Sequence, residues 1–242
     1  MADLNELKET LSYGCKVLGY QGQTDVIWGH VTLRIPGTDT FLMKAANFGL
    51  EECEPENIIT ANIEGEKVSG DYKIHSEVPI HSEIFRARPE INSVVHTHPP
   101  YATAFASMDK PLLPIGHEGC LFCEGLPVYT DTSDLIREKN RGADLAKCLG
   151  DKMAVLMRNH GITCVGKSVG EAVMTALILE KACMVQLLAM QFGGPDHYTD
   201  LEEAKIKKVK IYGVSGDGKL DRAMAFYVRQ VKRMEAAQKG IF

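Results

Sequence analysis

The sequence predicts an α/β fold in which helices flank a mixed, mainly antiparallel sheet. Helical and strand patterns alternate along the 242 residues without a regular βαβ rhythm. Several neighbouring strands are joined by short turns that suit hairpins. No stretch is long enough to act as a linker between two domains, so we expect residues 1–242 to form a single domain.

The first elements of this fold follow from apolar spacing. Leu4, Leu7, Leu11 and Leu18 recur at helical spacing, and the glycines after them end the helix at residues 19–22. Alternating side chains and turn residues then predict three strands, at residues 30–35, around 41–43 and at 58–63.

The later elements alternate between helix and strand. Ser76 is predicted to cap a helix over residues 77–87, and Ser168 a long apolar helix that ends near Phe192. Between them we expect a strand leading into His96, helices at 101–107 and 133–149, and paired strands at 154–157 and 162–165. The long helix, apolar on most faces, belongs either in the core or at a subunit contact.

Composition excludes several classes of function. The net charge of −5 and the pI near 5.9 argue against nucleic-acid binding, and the basic residues at 205–210 are expected to form a solvated face. Residues 1–6 lack the features of a signal peptide, and charges interrupt the apolar stretches before the ~18 residues of a membrane span. The odd count of seven cysteines favours reduced thiols in the cytoplasm, without membrane association.

The pair His96 and His98 is the most informative feature of the chain. Side chains alternate along a strand, so these two imidazoles project to the same side. Together they can bind one divalent cation with a third ligand from elsewhere, although such pairs are also found as ordinary surface histidines.

Two further segments strengthen the metal hypothesis. Glu77 and His81 lie four residues apart on the predicted helix, and Arg158 and His160 lie near a predicted turn. A carboxylate beside a metal can transfer a proton in catalysis, but Glu77 can also be an acidic residue that interacts with the helix dipole. His81 is either a proton-transfer group or a solvated residue.

These motifs together resemble the class II aldolase/adducin family over about residues 5–195. The resemblance implies a three-layer α/β/α fold, with a C-terminal helical extension here from about residue 196, and a homotetramer with active sites between subunits. It implies that His96, His98 and His160 bind one divalent metal per subunit, zinc, manganese or iron, and that Glu77 is the acid/base. The family includes sugar-phosphate aldolases, an epimerase and decarboxylases.

Departures from the family's sugar-phosphate pattern point to its decarboxylases. Where those aldolases bind phosphate, this chain has His30, residues 46–47 and His75 before Ser76. We therefore expect a metal-dependent decarboxylase of a hydroxylated aromatic or heteroaromatic carboxylic acid, with an aldolase or epimerase as the alternative and an adducin-like scaffold as the third hypothesis.

Several residues complete this expected site. His30 is assigned to both catalysis and substrate binding, and His81 to catalysis. The other substrate-binding candidates are His75, Ser76, His117 and Arg158, of which Arg158 could pair with a substrate carboxylate or form a surface ion pair instead.

Overall fold

The computed structural model describes residues 3–240, which contain one eight-stranded sheet and eight α-helices. The strands are β1 (His30–Arg34), β2 (Thr40–Lys44), β3 (Ile58–Asn62), β4 (Lys67–Ser69), β5 (Ser93–Thr97), β6 (Val128–Tyr129), β7 (Ala154–Met157) and β8 (Gly161–Gly166). The helices are α1 (Leu4–Leu18), α2 (Val78–Ala87), α3 (Pro100–Ala106), α4 (Gly116–Cys120), α5 (Lys139–Leu149), α6 (Val169–Gln191), α7 (Leu201–Tyr212) and α8 (Lys219–Lys239). A π-helical turn (Gly19–Gln23) follows α1, and a 3-10 turn (Pro55–Asn57) precedes β3.

The sheet has the order β4-β3-β2-β1-β5-β8-β7-β6. Among the described strands, β6 and β7 are the one parallel pair, and the other pairs are antiparallel. This confirms the predicted mixed, mainly antiparallel sheet. In the middle, β5 lies between β1 and β8, so that His96 faces His30 on one side and Thr163 on the other.

Helices cover both faces of the sheet and create two apolar cores. On one face, α2 and α5 pack through residues such as Ile84 and Leu145 against Val94 of β5. On the other face, residues of α1, α3 and α6 pack against the neighbouring Val95. Because consecutive strand residues point to opposite faces, β5 contributes to both cores. The three-layer α/β/α prediction is therefore confirmed.

Most predicted elements are present, but two of the predicted helix starts are wrong. The segment Ser133–Glu138 is not helical, and α5 begins only at Lys139. Ser76 is exposed and is not the N-cap of α2, because Glu77 takes that position. The short β4, β6 and α4 were not predicted, since two to five residues are too few to produce a periodic pattern.

The long helix α6 is a central element of this fold. Its N-cap Ser168 accepts a hydrogen bond from the Glu171 backbone, as predicted, and it packs against the sheet and against α8. Among the described helices, α6 is the one long and apolar enough to cross a membrane by length and composition, and half of that stretch is buried. Within it, Glu180 accepts hydrogen bonds from the first backbone amides of α3.

Helices α7 and α8 occupy the region where a C-terminal extension is predicted. Helix α8 packs against α6 and α1, and α7 packs against α4. Met1, Ala2, Ile241 and Phe242, which belong to the predicted domain, lie outside the described residues. The boundary near residue 196 stays a prediction.

Candidate active site

Four side chains from separate parts of the chain converge at one end of the central strands. His96 lies near the end of β5, and His98 follows that strand. His160 lies in the turn between β7 and β8, and Glu77 is the N-cap of α2. One ligand atom from each residue lies within 4.8 Å of the corresponding atoms of the other three. This group, here called the imidazole–carboxylate cluster, contains the three predicted metal ligands and the predicted acid/base.

Hydrogen bonds behind His96 and His98 fix which ring nitrogens face the cluster. His96 Nδ1 lies 3.3 Å from the Thr163 hydroxyl, which donates its own proton to the Met157 sulfur and so accepts from the imidazole. His98 Nδ1 is hydrogen-bonded to the Asp25 carboxylate, which can only accept when it is ionised. When both rings carry their proton on Nδ1, the two Nε2 atoms present lone pairs to the cluster, and they lie 3.0 Å apart.

Local backbone geometry brings His160 into the same group. Asn159, which precedes it, has a φ of +54°, a left-handed conformation that asparagine tolerates better than most residues. A Cβ on Gly161 would lie 2.5 Å from the Thr97 carbonyl oxygen and 2.7 Å from His98 Cδ2, so only glycine lets the turn approach β5 this closely. The His160 side chain is 5% exposed, and neither of its ring nitrogens has a hydrogen-bond partner in the described structure.

The Glu77 carboxylate faces the histidines. Its Oε1 accepts a hydrogen bond of 2.9 Å from the Ile136 backbone amide and lies 3.5 Å from His160 Nε2, and its Oε2 lies 3.8 Å from His96 Nε2. Ile136 belongs to the segment before α5 that was predicted to be helical, and because this segment is not helical its backbone amide is free to donate to Glu77. Burial raises the pKa of Glu77, against a smaller lowering by that backbone amide.

This donor set fits a divalent metal ion. Burial holds the pKa of His96 well below its ordinary value and lowers that of His160 to about 4, so both imidazoles are neutral near pH 7, the form that binds metals. Lone pairs that face one another without a proton between them are unfavourable unless a cation lies between them. Imidazole nitrogens and a carboxylate oxygen suit zinc, manganese or iron, and such an ion would polarise substrate oxygens.

A second group of imidazoles lies beside the cluster. His30 Nδ1 and His81 Nε2 are 2.7 Å apart, and His81 Nδ1 is 2.7 Å from the Thr32 hydroxyl. All three residues are fully buried, and burial lowers the pKa of His81 to about 3. The outward Nε2 of His30 has no hydrogen-bond partner and lies 3.8 Å from Glu77 Oε2. The chain of hydrogen bonds thus orients one imidazole nitrogen toward Glu77.

An open cavity of about 440 Å³ gives access to the cluster. His75 and the exposed Ser76 line it, as do three residues that the sequence did not suggest: Asp25, Trp28 and Leu135. Burial lowers the pKa of His75 to about 3, and its Nε2 has no hydrogen-bond partner. The cavity thus has a neutral imidazole and two apolar side chains near the candidate metal ligands.

Two predicted substrate-binding residues lie elsewhere. His117 is exposed on α4, which packs against α6 and α7. Arg158 forms an ion pair with Asp109, the alternative that the sequence left open, and its side chain is 33% exposed. Within the part of the chain that the structure describes, neither residue lines the cavity, because α4 lies away from the cluster and the Asp109 pair draws the guanidinium to the surface.

Sequence reasoning missed the residues that hold the cluster from behind. Asp25 and Thr163 belong to no recognisable motif, and only strand pairing and loop path bring them to His98 and His96. The contribution of Ile136 is a backbone amide, for which side-chain patterns give no signal. The sequence around Asp25 contained one weak indication of a functional residue: a carboxylate lies shortly after the glycines that end the first helix.

Comparison with known proteins identifies the family. The sequence profile of the Class II Aldolase and Adducin N-terminal domain matches residues 9–187. The meiotically up-regulated gene 14 protein of Schizosaccharomyces pombe is 34% identical over 176 residues, covering 72% of this chain and 68% of that protein. A 3,4-dihydroxyphthalate decarboxylase of Arthrobacter keyseri is 32% identical over 202 residues, covering 77% and 80%.

A solved structure agrees with the sequence comparison. The L-fuculose 1-phosphate aldolase from Glaciozyma antarctica PI12 superimposes with a TM-score of 0.85 at 26% identity, over 98% of this chain and 94% of that one. The chain belongs to the class II aldolase and adducin family, as its motifs predicted. The relatives named here include both a decarboxylase and an aldolase, so membership alone leaves the reaction open.

Proposed function

We propose that this protein is a metal-dependent carbon–carbon lyase that decarboxylates a hydroxylated aromatic or heteroaromatic carboxylic acid. His96, His98 and His160 would bind one divalent ion, zinc, manganese or iron. Glu77 would act as the acid/base. The ion would withdraw electron density from the substrate's adjacent hydroxyl and carboxylate oxygens.

The observation that carries this proposal is the chemistry of the cavity beside the imidazole–carboxylate cluster. His75 lines this cavity and His30 lies against its ring, at positions where the resemblance to the sugar-phosphate aldolases would place phosphate-binding residues. Both are neutral because burial lowers their pKa values. Neutral imidazoles offer no charge to neutralise a phosphate dianion. Trp28 and Leu135 give the cavity apolar surface suited to a planar ring.

The residues of the chain can supply the proton that decarboxylation consumes. The bond between the ring carbon and the carboxylate carbon breaks, CO2 leaves, and the electron pair stays on the ring carbon until a proton replaces CO2. Glu77, whose pKa is raised by burial, can hold that proton and deliver it. His30 Nε2 lies 3.8 Å from Glu77 Oε2, where it can orient the carboxyl group or pass it a proton, with His81 behind it.

The relatives support the proposal and also define the alternative. The 3,4-dihydroxyphthalate decarboxylase that resembles this chain is named for an aromatic acid with adjacent hydroxyl groups. The similarity to an L-fuculose 1-phosphate aldolase favours the second candidate, an aldolase or epimerase. The third candidate is an adducin-like scaffold without enzymatic activity. Such a scaffold would not require imidazoles that converge on one point.

A substrate screen distinguishes these candidates. Purified protein loaded with Zn²⁺, Mn²⁺ or Fe²⁺ is incubated with a panel of ortho-hydroxy aromatic acids, and CO2 release and the loss of mass are measured. We expect CO2 from at least one of them. Cleavage of fuculose 1-phosphate or epimerisation of ribulose 5-phosphate, with no CO2 from the panel, would favour the second candidate. Protein that binds none of the metals would support the scaffold.

We also propose that the protein forms a homotetramer in the cytoplasm, with each active site near a subunit boundary. Large apolar side chains remain exposed at the C-terminal end of α6 and near the cavity, including the C-cap Phe192 at 88% and Trp28 at 58% exposure. Light scattering at assay concentration measures this, and a fully active monomer would contradict it.

A further inference from the structure

We propose that Asp25 is a positioning residue that holds His98 in its metal-binding tautomer and so sets the metal affinity of the site. The Asp25 carboxylate is hydrogen-bonded to His98 Nδ1, on the side of the ring away from the cluster. A proton on Nδ1 leaves Nε2 free as a lone-pair donor. This inference rests on the proposed metal site, but it does not depend on which substrate the protein uses.

The geometry separates Asp25 from the ligands themselves. Asp25 Oδ2 contacts Nδ1, whereas the His98 nitrogen in the cluster is Nε2, which lies 3.0 Å from His96 Nε2. The imidazole–carboxylate cluster is complete without Asp25, because Glu77 already supplies its carboxylate. Asp25 therefore acts through His98, as carboxylates that orient metal-bound histidines do.

The segment that carries Asp25 is tied to the same strand by a second residue. Gln23 is buried, and its amide nitrogen donates to the Ala176 carbonyl of α6 over 2.9 Å. Its amide oxygen accepts a hydrogen bond of 2.7 Å from the Thr97 hydroxyl. Gln23 and Asp25 thus bind two consecutive residues, Thr97 and His98, so the path of this segment is fixed relative to β5.

Backbone geometry after Asp25 also indicates a fixed conformation. Val26 has a φ of +52°, which is rare and unfavourable for a β-branched side chain. The Trp28 amide donates to the Asp25 carbonyl over 3.0 Å and closes a turn. The turn keeps Asp25 over His98 while Trp28 lines the cavity. Strain of this kind persists only where surrounding contacts determine the conformation.

His160 provides an internal contrast. It has no hydrogen-bond partner on either ring nitrogen in the described structure, whereas His96 faces a neutral hydroxyl and His98 a carboxylate. Charge-assisted hydrogen bonds are about twice as strong as neutral ones. Among the three imidazoles, His98 thus has the strongest hydrogen bond orienting its ring. Substitution of Asp25 removes that hydrogen bond.

The experiment measures metal affinity by competition with a chromophoric Zn²⁺ chelator for the parent and for Asp25→Ala and Asp25→Asn. We expect affinity to fall by about 10- to 100-fold in Asp25→Ala. Asp25→Asn should lose less, since the amide oxygen still accepts from Nδ1 without its charge. The circular dichroism spectrum of Asp25→Ala should match that of the parent, which loss of structure would not allow.

Nitrogen-15 NMR of metal-free protein gives a second readout. His98 should be an Nδ1–H tautomer in the parent and a mixture in Asp25→Ala. Asp134→Asn is the matched control: its side chain is 73% exposed, and it bonds Leu135 and Arg141 rather than an imidazole. Because an exposed charge is screened, the control should change affinity by less than about threefold.

Three outcomes would overturn the proposal. The first is Zn²⁺ affinity in Asp25→Ala equal to that of the parent, and the second is an unchanged His98 tautomer. The third is an equal loss in Asp134→Asn, which would reduce the effect to general electrostatics. If Asp25→Ala does not fold, Asp25→Asn takes its place in each comparison. A parent that binds metal without releasing CO2 would count against the decarboxylase and leave this inference intact.

Discussion

Two groups of three histidines lie side by side in this protein and differ in how their nitrogens are satisfied. His96, His98 and His160 direct ring nitrogens toward one point and toward Glu77, and in the first two the hydrogen bonds lie behind the rings. In the other group, His30 and His81 bond to each other, and His75 lies against the His30 ring with centroids 4.6 Å apart.

The difference separates two roles for the imidazoles of this site. In the first group, unprotonated nitrogens face one another, an arrangement that becomes favourable when they share a cation. In the second, His30 bonds to His81 and His81 to Thr32, so these hydrogen bonds form without an ion, and His75 lines the cavity. His98 of the first group has 18% of its side chain exposed, whereas His30 and His81 of the second group are fully buried, and the direction of the hydrogen bonds differs as well.

The largest expected effect is on metal content, when one histidine of each group is substituted in turn. His160→Ala should lose the metal, because removal of a ligand from a three-imidazole site leaves too few donors, while His81→Gln should keep it. Elemental analysis after dialysis measures metal per chain. His117→Ala, on exposed α4, is the control and should match the parent. Equal metal content in His160→Ala and the parent would contradict the division into two groups.

A smaller but still large effect is expected where the two groups meet, at Glu77. Glu77→Gln should keep most of the metal but lose at least ~100-fold in turnover, since an amide can accept the Ile136 hydrogen bond but cannot transfer a proton. Single-turnover rates and metal content are measured on the same sample. Turnover near the parent rate would show that Glu77 is a helix-terminal charge and that the proton travels through His30 or His81.

The smallest effect of a single substitution concerns pH, to which both groups contribute. Burial lowers the pKa of His75 and of His81 to about 3 and that of His160 to about 4, and it holds those of His30 and His96 well below the ordinary value. In the unfolded chain these imidazoles bind protons below about pH 6.5. The free energy of unfolding of metal-free protein is therefore fully retained above that pH and falls as the pH drops toward 4.

Each such histidine contributes at most about 1.4 kcal/mol per pH unit, and the raised pKa of Glu77 opposes them by one proton where it titrates. Urea unfolding in the presence of chelator, from pH 8 to pH 5, measures the slope. His81→Gln should lower it by about one proton, and His117→Ala should leave it unchanged. A slope of zero between pH 6.5 and 5 would mean that these imidazoles are protonated in the folded protein.

Much of the fold and the central part of the site follow from the amino-acid sequence alone. Helix α1, the paired strands β7 and β8, and the capped helix α6 follow from apolar periodicity and end signals that act over a few residues. The pair His96 and His98 also follows locally, because strand alternation alone places both imidazoles on one side. Glu77 and His160 came from motif resemblance, which a family pattern carries across long separations.

The surroundings of these residues depend on contacts between distant parts of the chain. Local propensity in residues 133–138 favours a helix, but the Ile136 amide bonds to Glu77, 59 positions earlier in the chain. Asp25 meets His98 across 73 residues, and Arg158 bonds to Asp109 instead of facing the cavity. Such contacts depend on strand order and loop path, which arise from packing of the whole chain. Short-range patterns specify which side chains share a face, whereas hydrogen-bond direction and charge pairing are set by neighbours distant in sequence.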